Sequence, residues 1–92
     1  MPHEFEVKLT VDKDTGEMLA AYFQIRRGKA NEVREFANGN AFANYNRNGE
    51  LLGIELLGPC RVDVVDKIVN KDEEAKRFVR RTAPRPMLVG AR

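Results

Sequence analysis

Residues 44–57, Asn44-Tyr45-Asn46-Arg47-Asn48-Gly49-Glu50-Leu51-Leu52-Gly53-Ile54-Glu55-Leu56-Leu57, constrain the fold more than any other stretch. Two extended runs flank a polar segment, Asn46–Gly49. Asn48-Gly49 supplies residues that tolerate the positive φ a hairpin turn demands. Beyond the turn, Leu52, Ile54 and Leu56 fall on one face of a strand, and Leu51, Gly53, Glu55 and Leu57 on the other. Apolar residues on both faces predict a central strand covered on both sides.

The upstream chain supplies neighbours for it. Phe5, Val7, Leu9 and Val11 alternate with Glu6, Lys8 and Thr10, the pattern of a half-buried strand. Asp12–Glu17 is a turn cluster with Gly16 free to adopt a left-handed conformation. A second strand runs from Met18 to Arg26, with Leu19, Ala21, Phe23 and Ile25 on one face. Residues 31–37 are less regular, because Val33 and Phe36 fall on opposite faces, which predicts a bulge or a short edge strand. Asn38-Gly39 turns the chain into a strand from Asn40 to Tyr45. Five short strands with short connections favour an antiparallel meander.

Gly58-Pro59 ends the last strand. Val62, Val65, Ile68 and Val69 recur at helical spacing, with Asp63 as an expected N-cap. A second helix is expected after Asn70, with Glu73 completing a capping-box-like pair. Its inward stripe is Ala75, Phe78, Val79 and Thr82, and Asp72–Lys76 and Glu73–Arg77 are i,i+4 pairs in the favoured order. Pro84 and Pro86 stop it. The predicted architecture is an α+β domain over residues 1–83: an antiparallel meander of about five strands, then one or two C-terminal helices packed on one face. Residues 84–92 are expected to be a mobile tail, with Met87-Leu88-Val89 able to dock on a neighbour.

A chain of 92 residues buries roughly 60–65 % of its unfolded surface, so uncovered apolar area favours pairing with a second copy. The expected dimer surface is the sheet face carrying Tyr22, Leu51 and Leu57. No apolar run approaches the length of a membrane span, the N-terminus lacks a signal-peptide pattern, and Cys60 is the single cysteine. A cytoplasmic protein without membrane association is expected.

Charge is uneven. Beyond Glu74 stand six bases and no acid, whereas the preceding part carries ten bases and fourteen acids. Lys76, Arg77, Arg80, Arg81 and Arg85 therefore form the candidate binding surface, for an acidic protein partner or for nucleic acid. Asp72, Glu73 and Glu74 at the start of the same helix dilute the field, which ranks nucleic acid second.

Gly49-Glu50-Leu51-Leu52-Gly53-Ile54-Glu55-Leu56-Leu57, preceded by Asn44–Asn48, resembles the hairpin "D-G-x-x-V-D-Y-D-x-D-G-x-V-V-G-I-E-I-L" of a family of small bacterial proteins catalogued as a domain of unknown function. The resemblance covers about residues 11–58, with Met18–Ile25 similar to its first strand and three of its acids replaced by asparagine. It implies a small β-meander with a flanking helix and carries no activity. Some relatives are encoded beside ribonuclease-like toxins, which implies an antitoxin-like role as partner of a toxin-like enzyme.

Other chemistry is weakly supported. Asn44, Asn46, Asn48, Gly49 and Glu55 match positions of a calcium-loop template, but the first anionic ligand is missing and the flanks read as strands, so no metal is expected. There is no serine; His3 and Cys60 are the only residues from which a nucleophile–base pair could be built. Glu32, Glu35, Glu50 and Glu55 read as solvated strand carboxylates rather than an acid–base pair. Phe23, Tyr22, Phe42 and Tyr45 read as packing rather than a ligand pocket. The expectation is a non-catalytic, cofactor-free interaction module, homodimeric, with nucleic-acid binding as the alternative.

Overall fold

The computed structural model describes residues 2–90. Five strands, β1 (Glu6–Val11), β2 (Met18–Gln24), β3 (Glu32–Phe36), β4 (Ala41–Tyr45) and β5 (Leu51–Leu56), form one antiparallel sheet. After them come a short strand β6 (Cys60–Arg61), helices α1 (Val62–Ile68) and α2 (Glu73–Thr82), and a short strand β7 (Leu88–Val89). The protein is an α+β fold with C-terminal helices.

Spatial order in the sheet is β1-β2-β5-β4-β3. β3, β4 and β5 make a meander and β1–β2 a hairpin. The two units join because β5 lies along β2, with Ile54 opposite Phe23 on one side and Ala43 on the other. β5 is thus the central strand, as its apolar character requires. β3, with the least regular pattern, is an edge strand.

Two turns explain the register. Asn46 Oδ1 accepts from the N–H groups of Asn48 and Glu50, both at 2.9 Å, and Gly49 takes φ +81°. The turn therefore rests on the Asn46 side chain and on Gly49, while Asn48 keeps a negative φ. Asp12 does the same for the first hairpin, accepting from Asp14 N–H (2.8 Å) and Thr15 N–H (3.0 Å).

Two bulges break the two-residue period assumed from the sequence. Asn44 pairs with Gly53 but Tyr45 with Leu51, so Leu52 is the extra residue. Leu51 consequently joins Ile54 and Leu56 in the core cluster at 8 % exposure, rather than the opposite face with Tyr22. Leu52 is buried against Gly28. In β2, Leu19 is the extra residue and is 46 % exposed, while Ala21, Phe23 and Ile25 are fully buried.

One face of the sheet is covered by the helices. Val65 and Val69 from the first helical segment and Ala75, Phe78 and Val79 from α2 complete the core. Phe78 stacks on Phe5 with centroids 4.6 Å apart and meets Phe23 edge-on at 6.4 Å.

The caps differ from expectation. Arg61, extended and without a side-chain cap bond, precedes α1, and Asp63 lies in its first turn bound by the Arg61 guanidinium at 3.1 Å. Asp72, not Asn70, caps α2: its Oδ1 accepts from Ala75 N–H at 3.1 Å. Residues 70–71 are used to turn between the helices, which moves the cap two positions on. The chain after Pro84 does not leave the body as a tail. Met87 is 2 % exposed in the core, and β7 pairs in parallel with β6, Leu88 opposite Cys60. Arg92 and Ala91 lie outside the described residues.

Candidate functional site

α2 explains its own charge segregation. Ala75, Phe78 and Val79 face the sheet, so residues 76, 77, 80 and 81 must face outward. Lys76, Arg77, Arg80 and Arg81 line one shallow surface hollow of about 560 Å³. The four do not have equal freedom. Arg80 forks onto Asp66 of α1, with Nε at 3.2 Å and a terminal nitrogen at 2.5 Å, and Lys76 lies 4.0 Å from Glu73. The expected pairs Asp72–Lys76 and Glu73–Arg77 do not form: Asp72 is engaged by His3 and Arg26, and Glu73 lies beside Lys76 instead. Arg77 and Arg81 have no ion pair among the described residues. Arg85 stands beyond, exposed, in the turn before Met87.

Asp72 ties three parts of the chain together. Its Oδ2 accepts from Arg26 at 3.3 Å and sits 2.8 Å from His3 Nε2, while Oδ1 caps α2. Burial pushes its carboxyl up, but the hydrogen bonds from His3, the Ala75 N–H and Arg26 outweigh that and hold it below the ordinary value. His3 also stacks on Phe5 with centroids 4.6 Å apart. The single histidine is thus part of the joint between the N-terminal segment and α2, whereas Cys60 pairs with Leu88 in the β6–β7 ladder. Cys60 is 2 % exposed, and burial, followed by the neighbouring Asp63 charge, pushes its thiol up, which disfavours a nucleophilic thiolate.

On the outer face of the sheet, Tyr22 lies over Gly53, and Phe42 and Asn44 flank them on β4. Leu57 is 47 % and Val33 58 % exposed. Neither helix covers this face. Leu51 cannot contribute to it, so of the three residues expected at a dimer surface Tyr22 is half-buried there, Leu57 is exposed, and Leu51 is core.

A second cluster was not visible in the sequence. Where β2, the β4–β5 turn and the α1–α2 turn meet, a cleft of about 400 Å³ is lined by Arg26, Arg34, Tyr45, Lys67 and Lys71, with Glu50 and Asp72 as its carboxylates. These residues come from five separate segments, none with a local motif. Of the calcium-loop template, the Asn46 oxygen is used by the turn, and its amide donates to Glu50 at 2.9 Å, holding that carboxyl below its ordinary value.

Comparisons with family models, with curated proteins and with solved structures gave no match to the chain. Function must be read from its own residues. Among the described residues no helix is long and apolar enough to cross a membrane.

Proposed function

We propose that this protein is a non-catalytic interaction module of the cytoplasm, which pairs with a second copy through the outer sheet face and offers the basic side of α2 to an acidic protein partner. The observation that carries the reading is the pair Arg77 and Arg81: two adjacent-turn guanidinium groups on an exposed helix face, without an ion pair among the described residues. The resemblance of residues 11–58 adds a class of partner, a toxin-like enzyme. The uncovered face around Tyr22, with exposed Leu57 and Val33, supports self-pairing.

The test has two arms. Sedimentation velocity should give a dimer at micromolar concentration, and Leu57→Asp with Tyr22→Glu should give a folded monomer. A wild-type monomer at every concentration overturns self-pairing. An acidic polyglutamate peptide should bind wild type and not Arg77→Glu/Arg81→Glu; equal binding overturns the role of α2.

A second reading, nucleic-acid binding by the same helix, is favoured by one fact: the hollow on α2 is lined by cations alone. It predicts single-stranded DNA affinity falling linearly with salt on a logarithmic plot, with a slope near −0.7 per phosphate contacted.

A further inference from the structure

We infer that the cleft between the β4–β5 turn and the α1–α2 turn binds a small ligand combining a phosphate with an aromatic ring, the chemistry of a nucleotide. Its volume of about 400 Å³ lies within the usual range of small-molecule sites, roughly 300–1,000 Å³.

One wall is a planar stack. The Arg34 guanidinium lies 4.6 Å from the Tyr45 ring centroid. Glu32 grips the same guanidinium through Nε at 2.8 Å and a terminal nitrogen at 3.4 Å. Two partners thus fix its plane before any ligand arrives. The Arg34 side chain remains 55 % exposed, so the plane also meets solvent. Aromatic bases stack on such guanidinium planes.

The other wall is cationic. Lys67 ends α1 and Lys71 follows in the turn, both exposed and both without an ion pair among the described residues. Lysine ammonium groups on a turn suit a phosphate as point charges. Between the walls, Arg26 is held by the Leu51 carbonyl at 2.7 Å and by Asp72, leaving its Nε buried without a hydrogen-bond partner. Buried polar atoms are rarely left so, and its two terminal nitrogens, bound to Leu51 and Asp72, hold the guanidinium in place at the cleft. Asp72 is paired with Arg26 and Arg34 with Glu32, which leaves Lys67 and Lys71 against Glu50 and the cleft net positive by one.

The site is separate from the α2 surface, so the two fail independently. Isothermal titration at low ionic strength with adenosine monophosphate, adenosine and inorganic phosphate tests it. Adenosine monophosphate should bind saturably, more tightly than phosphate or adenosine. Lys67→Ala/Lys71→Ala should weaken it by at least about tenfold, and Arg34→Ala should bring its affinity down to that of phosphate. Arg77→Glu/Arg81→Glu should leave it unchanged. The inference is overturned if adenosine monophosphate does not saturate, if the cleft variants bind it as well as wild type, or if the α2 variant abolishes binding. Binding of oligothymidylate but not of the mononucleotide overturns it in favour of a nucleic-acid chain. The substituted lysines are exposed, and equal thermal midpoints would establish that the variants remain folded.

Discussion

The Tyr22 side chain occupies the space that a Cβ on Gly53 would fill, its hydroxyl oxygen nearest and its Cζ 2.6 Å from that position. The two residues sit on neighbouring strands, Tyr22 opposite Glu55 and Gly53 opposite Gln24, so the ring leans diagonally along the sheet. Glycine at 53 is required by this packing, not by backbone conformation, since its φ is not in the left-handed region. Gly53→Ala should therefore cost about 1–3 kcal/mol in urea unfolding, as overpacking does. In a Tyr22→Ala background the same change should cost much less. Equal costs in both backgrounds would show that the ring does not set the requirement.

Asp72 joins a helix cap to the counterion of Arg26, whose side chain is only 11 % exposed. Asp72→Ala should cost about 2–4 kcal/mol, between loss of a cap alone and loss of a buried ion-pair partner. Asp72→Asn, which keeps an oxygen for the Ala75 N–H, should cost less.

The same carboxyl sets a pH dependence. Its folded value lies below the ordinary 3.8, so its stabilising contribution is complete above 3.8 and disappears as pH falls through the folded value. Urea midpoints measured down the acid range should fall more steeply for wild type than for Asp72→Asn. Parallel acid limbs would remove Asp72 from the account.

Met87 and Leu88 close over the end of the fold at which Cys60 lies. Met87→Ala should cost about 2–5 kcal/mol, the usual range for a buried methionine. In the native protein Cys60 should react slowly with a thiol reagent, and deletion of residues 84–92 should speed the reaction by at least about tenfold, because opening of that edge then needs less of the fold to come apart. An unchanged rate would mean that the segment does not shield the thiol.

Arg80 and Arg77 look alike in the sequence but differ in partner. A double-mutant cycle on Arg80 and Asp66 should return about 0.2–1 kcal/mol, the value of an exposed pair. Arg77→Ala should change stability by less than about 0.5 kcal/mol, since it touches no such feature.

The sequence by itself determined the five strands of the main sheet, the turns between them, the two helices and their inward stripe, but not the β6–β7 pair. Alternation, Asn-Gly and Asp-rich turns, helical spacing and proline are local signals, and local sterics answer to them directly. It also determined that β5 is central, because a strand apolar on both sides must be covered. Only the tertiary structure decided where Leu51 and Leu19 point, since a bulge shifts the face of one residue without leaving a mark in composition. The docking of Met87, the choice of Asp72 over Asn70 as cap, and the gathering of Arg26, Arg34, Lys67 and Lys71 around one cleft were likewise decided there. Each depends on which segments become neighbours, and that follows from pairing β5 with β2 across a long stretch of chain, a contact whose free energy no short window of sequence contains.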